Sequence, residues 1–202
     1  MTKHKFLIAT NNPGKVKELR ELLADLPFEL LRLNDFHNVI EVEETGLTFA
    51  ENARLKAAGY AIQTGQFAIA DDSGLAVTAL GGRPGVLSAR YGGEDTGFPE
   101  KMAMLLAEMD LAETDDRRAR FVCSIAIANA GGDILFSAEG ICDGHIADLP
   151  LGSGGFGYDP LFVPDGFEQT FGELDRTVKH SISHRSRAFQ QIIPFLRHFN
   201  AL

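Results

Sequence analysis

The first apolar run, Phe6-Leu-Ile-Ala, is short and gives way to the polar stretch Thr10-Asn-Asn-Pro-Gly-Lys15. It reads as a buried strand feeding a helix, since Asn12 is a good N-cap and Pro13 takes the favoured first helical position. Val16, Leu19, Leu22, Leu23 and Leu26 then recur at helical spacing. A second helix is expected from Thr48, because Thr48-Phe-Ala-Glu51 is a capping box whose ends satisfy each other's free N–H groups. It carries Asn52, Lys56 and Tyr60 and stops near Gly65. Phe67-Ala-Ile-Ala is a buried strand, interrupted at Asp71-Asp-Ser-Gly74 and resumed by Leu75. Pro99 starts a third helix with Met102, Leu105, Leu106 and Met109 on its inner face. Residues 120–128 and 134–139 form a hairpin about Asn129-Ala-Gly-Gly-Asp133, which residues 140–149 extend. Residues 152–164 are a glycine-rich loop. Residues 183–199 are a last helix that Pro194 should kink or shorten.

Helices and strands alternate early and antiparallel strands cluster late, the order of an α/β fold with a mixed sheet. No repeat or linker divides the chain, so one domain over residues 1–202 is expected. Hydrophobic residues make up 45%, enough for a sizeable core without disulfides. No apolar run approaches a membrane span. The basic start Met1-Thr-Lys-His-Lys5 precedes too short an apolar run for a signal peptide. Cys123 and Cys142 form no C-x-x-C, so free thiols in a reducing cytoplasm are the default. Lys and Arg number 19 against 28 Asp and Glu, a net charge of −9. That balance disfavours a broad nucleic-acid surface. It leaves room for a small anion held by a local cationic cluster or a metal, expected to be a hard ion on carboxylates.

Four segments carry candidate chemistry. At Thr10-Asn-Asn-Pro-Gly-Lys15 a helix N-terminus offers N–H donors and a positive dipole end, and Lys15 opposes that dipole unless an anion sits there. The spacing is not that of a Walker loop, and a capped helix with a solvated lysine is the plain alternative. Glu43-Glu44 and Asp71-Asp72 come from separate segments and suit Mg²⁺, against the alternative of solvated acidic turns. Asp72 is the more informative, lying between buried-looking strands where a free charge is expensive. Gly152-Ser-Gly-Gly-Phe-Gly157 matches G-x-G-x-x-G, but Pro160 blocks the helix a dinucleotide site needs. Phe156 there could stack on a base and Asp159 contact base or sugar, or Phe156 could lie in the core. Lys179-His-Ser-Ile-Ser-His-Arg185 suits anion or base recognition better than zinc, since His180 and His184 lack an intervening Glu and a third ligand. A serine hydrolase is disfavoured: there is no G-x-S-x-G, and Ser73 has no His beside it.

In chain order, Ala9 to Lys15, Glu43-Glu-Thr-Gly-Leu-Thr-Phe-Ala-Glu-Asn52, Ala70-Asp-Asp-Ser-Gly-Leu75, Gly81 to Tyr91, Gly154-Gly-Phe-Gly-Tyr-Asp-Pro160 and Ser183-His-Arg185 resemble the inosine/xanthosine triphosphate pyrophosphatases over nearly the whole chain. The resemblance implies an elongated mixed sheet flanked by helices, with two lobes and an active-site cleft between them. It implies a homodimer and Mg²⁺-dependent hydrolysis of ITP, dITP and XTP to the monophosphate and pyrophosphate, which cleanses the nucleotide pool. It further implies that Thr10, Asn11, Asn12, Pro13, Gly14 and Lys15 cradle the triphosphate, with Lys56 assisting. Glu44 and Asp72 would hold the metal, Asp72 and Lys15 would be catalytic, and Ser73 would touch substrate. Phe156, Gly157, Tyr158, Asp159, Lys179, His184 and Arg185 would form the base and sugar pocket. Two alternatives stand beside this: a nucleotide pyrophosphatase of different base preference, and a nucleotide-binding module that does not hydrolyse.

Overall fold

Alternation along residues 6–9 sends Phe6 and Ile8 to one side of the first strand and Leu7 and Ala9 to the other, into two separate apolar clusters. A strand buried on both faces belongs inside a sheet with helices on each side. The computed structural model describes residues 4–199. The first three residues of the basic start lie outside the described residues. The elements run β1 (Lys5–Ile8), α1 (Pro13–Leu22), β2 (Glu29–Arg32), α2 (Phe49–Thr64), β3 (Phe67–Val77), α3 (Phe98–Asp110), β4 (Arg118–Ala128), β5 (Ile134–Ile146), β6 (Phe162–Pro164), α4 (Arg176–Ile182) and α5 (His184–Phe199). One six-stranded sheet has the order β2-β1-β3-β4-β5-β6. β1 lies parallel to β2 and β3, while β5 and β6 are antiparallel, so the sheet is mixed and the fold α/β as expected.

The chain divides into two compact units. The first holds the chain up to Asp72, residues Cys123–Gly140 and the chain from Arg185 onward; the second holds Ser73–Val122 and Ile141–His184. In the first unit, Phe6, Ile8 and Ile69 pack with Leu19 of α1 and with Phe189, Ile192 and Leu196 of α5. On the other face, Leu7, Ala68 and Ala70 meet Ala53, Ala57 and Ala61 of α2, small residues that let helix and sheet approach closely. The second unit has its own core, in which Leu105 of α3 joins Leu75, Val77, Phe121, Phe162 and Phe171.

Helix starts follow the cap signals. Asn12 Oδ1 accepts from the Gly14 and Lys15 N–H groups at 2.9 and 3.1 Å. Thr48 Oγ1 accepts from the Glu51 N–H at 3.1 Å and Glu51 Oε2 accepts from the Thr48 N–H at 3.0 Å, completing the box. Thr48→Ala removes one arm of it, and a loss of about 1 kcal/mol of unfolding free energy is expected in urea titration.

Two expectations change, and a third is narrowed. β3 is not interrupted: it runs unbroken through Asp71-Asp-Ser-Gly74, because cations described below compensate both carboxylates. Gly74 fits there for want of a side chain, since a Cβ would lie 2.4 Å from Ser88 Oγ and 2.5 Å from the Gly85 carbonyl. Pro194 lies inside α5, which continues to Phe199. The fully buried Ile192 and Leu196 on either side of Pro194 anchor the helix across the missing hydrogen bond. Finally, α4 forms ahead of the expected last helix, started by Asp175, whose side chain accepts from the Thr177 N–H at 2.8 Å.

Candidate active site

Alternation on β3 also separates its two adjacent acids. Asp71 follows Ile69 toward α1 and α5; Asp72 follows Ala68 and Ala70 toward α2. Each acid therefore gathers a different set of partners.

On the α2 side, Lys56 Nζ donates to Asp72 Oδ1 at 3.0 Å and to Glu44 Oε1 at 2.5 Å. Asn52, one turn before Lys56, donates from Nδ2 to Asp72 Oδ2 at 3.3 Å, while its Oδ1 accepts the Gly46 N–H at 2.8 Å. Asn52 thus ties the 43–47 segment to β3. Burial pushes the Asp72 carboxyl above the ordinary aspartate value, and the attraction of Lys56 offsets this only in part. For Lys56 burial works against the charge, but Asp72, Glu44 and Asp71 prevail and its pKa is raised.

On the α1 side, Lys15 Nζ lies 3.1 Å from Asp71 Oδ2. Arg185, 1% exposed, donates to the same oxygen from Nε and Nη2 at 3.3 and 3.2 Å, and from Nη1 to Glu18. Burial alone would raise Asp71, yet Lys15, Arg185 and Lys56 together hold it well below the usual carboxylate range. Neighbouring carboxylates are thus pushed in opposite directions, Asp71 down and Asp72 up, which leaves Asp72 the more basic of the two. Beneath them the buried Cys123 thiol, 3.8 Å from Asp71 Oδ2, is pushed up by burial and by that carboxylate and stays protonated.

The loop residues take distinct places. Asn12 caps α1 and its own N–H donates to Thr10 Oγ1 at 3.2 Å. Thr10 and Asn11 remain partly or fully exposed, as do Pro13 and Gly14. The first unit therefore brings together Lys15, Lys56, Glu44 and Asp72, along with Arg185.

Glu44 and Asp72 offer hard carboxylate oxygens from two segments, aimed at one cationic point that Lys56 fills. That donor set suits Mg²⁺, which takes one or two protein carboxylates and completes its shell with water and phosphate. Among the described residues no group of three or more His, Cys, Asp or Glu is arranged around a metal position.

The second unit carries the other predicted residues. Asp159 is buried, and its Oδ2 accepts from the Phe156 N–H and from Lys179 Nζ, each at 2.7 Å. Lys179 Nζ also lies 4.9 Å from the centre of the half-buried Phe156 ring. Tyr158 is a core residue whose hydroxyl donates to the Ser88 carbonyl at 3.1 Å. His184 stacks on Phe121 at 4.7 Å and 13°. Ser73 is half-buried at the start of this unit, and Gly157 turns the chain at φ +69°. Gly155 has φ +71°, and a Cβ there would fall 2.0 Å from Asp159 Oδ2. Gly155→Ala must move the Asp159 carboxylate off Lys179, and a loss of about 1–3 kcal/mol is expected in thermal unfolding.

Sequence reasoning missed Glu18 and Asn52 and undervalued Asp71. Glu18 stands one helical turn after Lys15, and Asn52 one turn before Lys56. Helical spacing from each chosen lysine was the available signal. The resemblance places Arg185 in the base and sugar pocket, and in the structure its guanidinium pairs with Asp71 and Glu18.

Fold and cluster define a mixed-sheet α/β protein with a lysine–carboxylate centre on its third strand. The chain belongs to the Ham1 family, which it matches over residues 6–195. It is 49% identical over 192 residues to a dITP/XTP pyrophosphatase of Desulforamulus reducens, covering 95% of both chains. It is 50% identical over 189 residues to a dITP/XTP pyrophosphatase of a Nostoc species, covering 93% of this chain and 92% of that one. Among solved structures, a HAM1 protein from Coxiella burnetii superposes with a TM-score of 0.89 at 39% identity, over 96% of this chain and 99% of the other.

Proposed function

We propose that the protein hydrolyses the non-canonical purine nucleoside triphosphates ITP, dITP and XTP to the monophosphate and pyrophosphate, acting as a single domain and a cytoplasmic homodimer. The observation that carries the reading is the pair of adjacent acids on β3, facing opposite sides of the strand and each held by its own lysine, Asp71 by Lys15 at 3.1 Å and Asp72 by Lys56 at 3.0 Å. Membership of the Ham1 family and the dITP/XTP pyrophosphatase relatives support it. No helix among the described residues is long and apolar enough to cross a membrane.

Lys15 and Lys56 supply ammonium groups for the phosphate oxygens, with Thr10, Asn11, Asn12, Pro13 and Gly14 forming the loop beside them. Mg²⁺, held by Glu44 and Asp72, would supply charge neutralisation on the phosphate oxygens. Asp72, on the α2 side of β3, takes the proton of the water that attacks the α-phosphorus. The bond from that phosphorus to the bridging oxygen breaks and pyrophosphate leaves. Asp71 keeps its charge and fixes Lys15. Phe156, Asp159, Lys179 and His184 read the base and sugar, with Ser73, Gly157, Tyr158 and Arg185 shaping their surroundings. A donor aimed at the 6-oxo group meets another donor in ATP, and a buried unpaired donor discriminates strongly.

The test is product identity. With Mg²⁺, ITP and XTP should give IMP or XMP plus pyrophosphate while ATP and GTP remain largely intact. Diphosphates and orthophosphate would contradict attack at the α-phosphorus, and no turnover with any divalent metal would contradict hydrolysis itself.

A further inference from the structure

A cavity of about 540 Å³ lies along α1, lined in part by Lys17, Arg20 and Glu21. Its helix positions, 13, 16, 17, 20 and 21, recur every three or four residues and so make one stripe, which Ala24 just past the helix continues. Lys15 and Glu18 are not among them; they point to Asp71 and Arg185. The cavity is therefore a different place from the lysine–carboxylate centre, though it shares Thr10 and Asn11 of the loop between β1 and α1.

Its charge runs against that of the chain. The net charge of the protein is −9, yet Lys17, Arg20 and Arg32 line this cavity against a single acid, Glu21. The side chains of Lys17 and Arg20 make no hydrogen bond or ion pair among the described residues. Arg32 is oriented by Asp35, 3.5 Å from Nη2, which lies outside the lining. Guanidinium groups recognise phosphate oxygens by paired N–H donation. The remaining surface is mixed: the amides of Asn11 and Asn34 suit hydroxyl groups, and Val16 and Leu33 give an apolar wall. No aromatic ring lines it, so it offers no platform for a base. Its volume falls within the range of about 300–1,000 Å³ usual for small-molecule sites.

We infer that this cavity binds a sugar phosphate, a phosphate monoester on a hydroxylated body, at a site separate from the phosphate loop's Lys15. The ester's phosphate faces Lys17, Arg20 and Arg32, and its hydroxyls face Asn11 and Asn34. The inference goes beyond the proposed hydrolysis and stands without it.

The experiment titrates the full chain with ribose 5-phosphate, inorganic phosphate and ribose. It follows heat and the side-chain amide resonances of Asn11 and Asn34. Ribose 5-phosphate is expected to bind and shift both amides, phosphate to bind more weakly, and ribose not to bind. The double variant Lys17→Ala/Arg20→Ala should weaken binding by about tenfold or more with ITP turnover unchanged. Lys15→Ala should leave ribose 5-phosphate binding as it is. Three results would overturn the inference: no binding at millimolar ribose 5-phosphate; inorganic phosphate binding as tightly as the ester; or binding lost in Lys15→Ala and kept in the double variant, which would place the anion on the phosphate loop.

Discussion

Asp72→Asn is expected to lower kcat for ITP by about 10²–10⁴-fold, the usual contribution of a positioned general base. The amide keeps an oxygen for Lys56 but cannot take a proton from water. The fold should survive, because Asp72 is the acid that burial disfavours as an anion. Neutralising it removes that cost along with the attraction to Lys56, but the new amide Nδ2 then faces the Asn52 Nδ2 donor, so a loss of about 1–3 kcal/mol of unfolding free energy is expected. Steady-state hydrolysis beside a urea titration separates the two quantities. Turnover near that of the unaltered protein would remove Asp72 from the role of base. Asp71→Asn should behave differently, because it withdraws the anion shared by Lys15 and Arg185.

The larger effect on stability belongs to Arg185→Ala, with an expected loss of about 3–5 kcal/mol on breaking a buried ion-pair network by removing one partner. The variant removes the guanidinium from Asp71 and Glu18, carboxylates that are 1% and 9% exposed, and leaves Lys15 beside Asp71. Arg185→Lys should rescue little, since one ammonium cannot reproduce three N–H donors spread over two carboxylates. Urea unfolding gives the measurement. A loss under about 1 kcal/mol would mean that the network behaves as a solvated surface pair.

Much of this was legible in the sequence wherever a signal was local. Asn12 and Pro13 gave the start of α1, the Thr48–Glu51 box gave α2, and the Asn129–Asp133 turn gave the β4–β5 hairpin. The role of β3 was not local. Two adjacent aspartates followed by Ser-Gly look like a turn, and only Lys15, Lys56 and Arg185, brought from other segments, let them lie within a strand. Arg185 shows the same limit from the other side. A basic run at 179–187 suggests ligand contact, while the acids that engage its guanidinium lie far away in sequence, at positions 18 and 71. The short strands β2 and β6 lacked an alternating pattern long enough to announce them. Each is set by the register of the neighbour it pairs with.

The division of the chain into units also sets an order of events during synthesis. The first unit is assembled from three stretches of chain, the last of which is α5, and α5 supplies Phe189, Ile192 and Leu196 to its core and Arg185 to Asp71. While the ribosome is still making residues 73–184, β1, α1 and β3 therefore wait with an apolar face uncovered and Asp71 without its guanidinium. The final compaction of this unit is a late, long-range event rather than one that follows the chain from its start.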